Sequence, residues 1–124
     1  LELLMDGTSY GFTILELLVT LAILSILIVT AVPHYKELRA RAYDFRAQSD
    51  VRIVALAEEA YFLDNERYLD CTEANCSTLP GISRLSDGVV LAVETADDSF
   101  VAVASHKRGT GRVFQWDSEL GGIT

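Results

Sequence analysis

Gly11-Phe12-Thr13-Ile14-Leu15-Glu16-Leu17-Leu18 places a small residue, an aromatic and a lone carboxylate at the head of a long apolar run. The run continues to Val32 with no Lys, Arg or Asp, and Glu16 is its single acid. At a rise of about 1.5 Å per residue, about 20 such residues form one helix that covers the roughly 30 Å hydrocarbon core of a bilayer. A carboxylate in that setting costs up to a few kcal/mol, so it needs a partner or a function. No basic side chain in the run supplies one. A cut between Gly11 and Phe12 would create a positive α-amino group one helical turn from Glu16.

Residues 1–11 hold two acids, Glu2 and Asp6, and no base, and read as a separate leader. A cleaved secretory signal would carry a small-x-small site behind its apolar region. Val32, Pro33 and His34 stand there instead.

Beyond Pro33 the apolar pattern thins. Leu38, Ala42, Phe45, Ser49, Ile53, Leu56, Ala60 and Leu63 recur at helical steps, which predicts an amphipathic helix reaching Leu63 with this stripe on one face. Charged residues such as Arg41, Asp44, Arg46, Asp50, Arg52, Glu58 and Glu59 fall off the stripe and are expected at the solvent. Pro33 lacks an N–H and crowds the preceding turn, so a kink, or local melting when subunits pack into a fibre, is expected there. Asp64-Asn65 favours a stop.

From there to Gly88 the chain reads as a loop, followed by strand-like runs at Val89–Thr95, Phe100–Ser105 and Arg112–Trp116. Such a sheet is marginal alone, and the stripe Leu38–Leu63 is its expected cover. The fold class is α+β: a hydrophobic helix over 12–33, then 34–124 as an amphipathic half-helix and a head with an antiparallel sheet. The last residues, Glu119–Thr124, read as a loose or contact-making tail.

Gly11, Phe12 and Glu16 together resemble the type IV pilins, in which a leader ending in glycine is cut before phenylalanine and a glutamate stands fifth in the mature chain. Pro33, the aromatic stretch Tyr61–Tyr68, the cysteine loop and the terminal sheet fit the same layout. The resemblance implies cleavage between Gly11 and Phe12 by a prepilin peptidase and N-methylation of Phe12. It also implies that Glu16 pairs with the N-terminus of a neighbouring subunit. The implied partners are further copies in a helical filament, the inner-membrane assembly machinery, and the membrane before assembly. The implied outputs are motility, adhesion or DNA uptake, on an extracellular filament.

Composition narrows the alternatives. Acidic residues outnumber basic ones 18 to 10, for a formal charge of −8, which opposes long-range attraction to nucleic acid. Cys71 and Cys76 are the two cysteines and suggest one disulfide. Two thiols with no nearby His cannot fill a zinc shell, and no C-x-x-C-H haem motif occurs, so no metal or cofactor is expected. No nucleophile motif or phosphate-cradling glycine loop argues for an enzyme. Two other readings stay open: a minor pilin or type II secretion pseudopilin, and a tip adhesin or DNA-binding pilin using Lys107, Arg108 and Arg112.

Overall fold

The computed structural model describes residues 11–124. The expected leader, Gly11 apart, lies outside the described residues. The chain divides into two units, one ending at Lys36 and the other Glu37–Thr124.

One helix, α1, runs Ile14–Asn65. Thr13 caps its start: the Thr13 Oγ1 accepts the Glu16 backbone N–H at 3.2 Å, which satisfies one of the donors left over at a helix N-terminus. Its end is marked by Glu66 in the left-handed region, φ 54°, while Asn65 Nδ2 donates to the Tyr61 carbonyl at 3.0 Å. In the single chain the helix continues through Pro33. Proline deletes one rung of the ladder, and the bonds on either side hold the helix across the gap.

In the first unit the apolar helix surface is bare. Ile14, Leu15, Ile26 and Val29 are 67–80% exposed, so nothing among the described residues covers this surface.

The second unit holds a five-stranded antiparallel sheet in sequence order: β1 Cys71–Thr72, β2 Val89–Thr95, β3 Phe100–His106, β4 Phe114–Asp117 and β5 Gly122–Ile123. The three predicted runs appear as β2, β3 and β4. The outer pairings are additions. Cys71 pairs with Val93 on one edge, and Trp116 pairs with Ile123 on the other. The C-terminal stretch is therefore not a loose tail. Thr124 N–H also donates to the Gln115 carbonyl at 2.8 Å, which fastens the end of the chain to the sheet.

Alternation along the central strands sets the inner face. Val89, Leu91 and Val93 of β2 and Phe100, Ala102, Ala104 and His106 of β3 are buried, and their neighbours are less so. The helix face in the same cluster is Ala47, Val51, Val54, Ala55 and Ala57. Small helix side chains share this layer with the larger Leu91, Phe100 and Phe114, the kind of pairing that dense packing favours.

This helix face corrects the expectation from the apolar stripe. Leu38, Phe45, Leu56 and Leu63 are 65–82% exposed. At about 100° per residue the stripe and the buried face lie roughly half a turn apart. Asp44, Asp50 and Glu58, expected at the solvent, are instead buried with the core.

Candidate assembly interface and the buried carboxylates behind it

The two apolar surfaces on α1 have different supports. The first is the run after Phe12, itself 79% exposed, with Glu16 in the opening turn. The Glu16 carboxylate forms no hydrogen bond or ion pair among the described residues. A carboxylate in the first turn is favoured by the helix dipole, and Thr13-x-x-Glu16 has the spacing of a capping box of which only the Thr13 half is formed. That reading of Glu16 was available in the sequence as the Thr-x-x-Glu spacing. It accounts for the helix start and leaves the side chain open to an external partner.

The second surface is the stripe from Leu38 to Leu63, and the head holds it outward through bonds on the opposite face of the helix. Asp44 accepts the Thr110 N–H at 3.1 Å and the Thr110 hydroxyl. Asp50 accepts the Ser86 N–H at 2.8 Å and its hydroxyl at 3.1 Å. Glu58 accepts the Leu69 N–H at 2.8 Å. Each carboxylate thus ties one head loop to the helix: the β3–β4 loop, the segment before β2, and the turn after α1. Hydrogen bonds to a charged group contribute about 1.5–3 kcal/mol each, so the Asp44 and Asp50 contacts, with the Glu58 bond beside them, select which helix face meets the sheet. Spacings of six and eight do not read as one helical stripe on inspection. They share a face once 3.6 residues per turn is applied.

Glu58 is fully buried, and burial pushes its pKa up to about 7, against the opposing pull of the Leu69 N–H; Asp70 and Glu59 raise it further.

Cys71 and Cys76 are bonded, with Cα atoms 5.0 Å apart, and both are buried. Asn75 shapes the ring: its Oδ1 accepts the Thr72 N–H at 2.7 Å and its own N–H reaches the Thr72 carbonyl at 3.0 Å. Glu73 joins the ring to β2 by giving its N–H to the Leu91 carbonyl at 3.0 Å and accepting the Leu91 N–H at 3.2 Å. Next to it, Phe62 stacks on Tyr68 with ring centroids 4.7 Å apart, and Tyr68 meets Phe100 at a tilt with centroids 4.8 Å apart. Among the described residues no three His, Cys, Asp or Glu side chains gather as a metal cage would require.

Residues 8–32 match the prokaryotic N-terminal methylation motif, which covers Gly11, Phe12 and Glu16. A type IV wide pilus major component of Thermus thermophilus is 30% identical over 101 residues, which is 81% of this chain and 76% of that protein.

This chain belongs to the type IV pilins.

Two further similarities are more local. A type IV major pilin of Myxococcus xanthus is 32% identical over 60 residues, 48% of this pilin and 27% of the relative. A type IV major fimbrial protein of Dichelobacter nodosus is 34% identical over 67 residues, 54% of this pilin and 43% of the relative. This pilin thus spans about a quarter and somewhat under half of those two relatives, and about three quarters of the Thermus protein.

Proposed function

We propose that this pilin is a structural, non-catalytic subunit that waits in the inner membrane as a precursor and then polymerises into an extracellular filament. The observation that carries the proposal is the apolar helix surface after Phe12, exposed along its length, with one carboxylate, Glu16, that is unpaired among the described residues. Burying that surface between copies supplies the adhesive force, since apolar area removed from water is worth roughly 25 cal/mol per Å². Glu16 supplies register, because a carboxylate in a dry core must meet a positive charge. The methylation motif supports Phe12 as the source of that charge after cleavage at Gly11 by a prepilin peptidase.

The stripe Leu38–Leu63 extends the interface into the second unit, and the carboxylate bonds behind it keep it facing outward. Pro33 is the point at which the helix melts in the packed filament, because its neighbourhood is already one hydrogen bond short. The names of the relatives, major pilins and a major fimbrial protein, support a main subunit over a minor one.

Mass spectrometry of the N-terminal peptide from protein sheared off the cell surface tests this. The expected peptide begins at N-methylated Phe12. A peptide retaining residues before Phe12, or no sheared protein, overturns the proposal. In the same preparation Glu16→Ala is expected to remove surface filaments while the precursor still accumulates in the membrane.

A further inference from the structure

The second unit is electrically polarised. At one end Tyr43 stacks on His106 with ring centroids 4.5 Å apart, and the guanidiniums of Arg46, Arg39 and Arg108 stand over the Tyr43 ring at 5.2, 5.9 and 6.0 Å. Lys107 joins them on the rim of a cleft of about 430 Å³. Asp87 is the one carboxylate lining this cleft, and Arg84 engages it at 2.9 Å. Arg46, Lys107 and Arg108 form no ion pair with a carboxylate among the described residues. Cations that repel one another have been brought together in a chain whose net charge is −8.

The opposite end of the sheet is acidic. Asp70 accepts the Thr95 N–H at 2.8 Å, which places it at the β2–β3 turn with the exposed Glu94, Asp97 and Asp98. Glu59 lies there too, 3.4 Å from the Tyr68 hydroxyl. β3 runs between the two ends, from Phe100 to His106, so they are roughly 20 Å apart and cannot neutralise each other within one chain.

We propose that the cleft around Tyr43 receives the carboxylates of the β2–β3 turn of a second copy of this chain. This rests on the filament reading and names the contact between heads. A patch on one end that fits a different patch on the other end is a heterologous contact, which propagates as an open polymer. Guanidiniums suit carboxylates because their donor fork matches two oxygens. The alternative occupant is a phosphate polymer, which the test below separates by retention of double-stranded DNA. The turn is preformed: Ala96 N–H donates to the Ser99 carbonyl at 2.7 Å.

The test inverts each end in full-length chains expressed with their assembly machinery. One variant carries Arg46→Glu, Lys107→Glu and Arg108→Glu; another carries Glu94→Lys, Asp97→Lys and Asp98→Lys; a third carries both sets. Each single-end variant is expected to give at least about tenfold fewer sheared filaments, since like charges then face each other. The variant with both ends exchanged, and the two single-end variants co-expressed, are expected to recover most of the yield. A misfolded head would not be rescued this way. Unchanged yield from the single-end variants, or no recovery from the exchange, overturns the proposal. So does a basic-end variant that assembles normally but no longer retains double-stranded DNA on its filaments, which would make the cleft a phosphate site. If the parent chain makes no filament at all, the filament reading itself fails and this contact falls with it.

Discussion

Asp50 of α1 and Ser86 are joined twice across 36 positions of sequence, by the Ser86 N–H at 2.8 Å and the Ser86 hydroxyl at 3.1 Å. Removing the carboxylate leaves a partly buried N–H without an acceptor, which costs about 1–3 kcal/mol. Asp50→Ala is expected to lower the stability of the head by about 2–3 kcal/mol and Asp50→Asn by less, because an amide oxygen can still accept one of the bonds. Trp116, the single tryptophan and half-buried beside the core, reports the unfolding midpoint by fluorescence. Equal midpoints for Asp50→Ala and the parent would remove the carboxylate from this role.

Glu58 predicts a pH dependence of definite sign. Its folded pKa, about 7, lies above the ordinary value of 4.5, so the folded state holds the proton more tightly than the unfolded state. Its contribution is fully present below about pH 4.5 and is lost as pH rises through 7, a change on the order of 3 kcal/mol. Glu58→Gln keeps an acceptor for Leu69 and cannot ionise. The variant-minus-parent difference in stability is expected near zero at pH 4.5 and positive at pH 8. A difference that does not vary with pH would contradict the assignment.

Gly109 is a steric prediction. A methyl group there would run into the Asp44 carboxylate, which is held in place by Thr110. Gly109→Ala is expected to cost about 2 kcal/mol or more, the range for overpacking combined with a broken buried bond. Gly122→Ala has open space around it and is expected within about 0.5 kcal/mol of the parent. Denaturant midpoints of the two variants, measured side by side, give the comparison.

The Cys71–Cys76 bond closes a six-residue ring, which is worth about 2 kcal/mol on the chain-entropy model. The double variant Cys71→Ala, Cys76→Ala is expected to lose about that much. Reduction of the parent should move its midpoint to the variant's value and leave the variant's own midpoint unchanged.

Phe45 and Leu56 are each 69% exposed, so their apolar area contributes little to the fold of one chain and, on the proposed filament reading, is available for contacts between chains. The double variant Phe45→Gln, Leu56→Gln is expected to keep the head within about 0.5 kcal/mol of the parent and to reduce sheared filament yield. Had the stripe covered the sheet, the same change would cost several kcal/mol.

Much of this was legible in order along the chain. The apolar run, the lone Glu16, the helix end at Asp64-Asn65 and the strands β2 to β4 follow from local periodicity and turn residues, which are properties of neighbours in sequence. Other features were not. β1 and β5 are two residues each, too short for an alternation to register, and they exist because the sheet edges offer them partners.

The orientation of α1 is the main divergence. By size, Leu38, Phe45, Leu56 and Leu63 form the stronger apolar stripe, and sequence alone assigned them to the core. The sheet takes Ala47, Val51 and Val54 instead, because small side chains share a layer with the larger Phe100 and Leu91 and because Asp44, Asp50 and Glu58 on that face meet loop N–H groups 66, 36 and 11 positions away. The sequence by itself determined that this chain has a long helix, apolar at its head, followed by an antiparallel sheet. Tertiary structure decided which side of the helix the sheet covers, since a buried carboxylate is stable only where distant donors converge on it, and no periodicity along the chain records those donors.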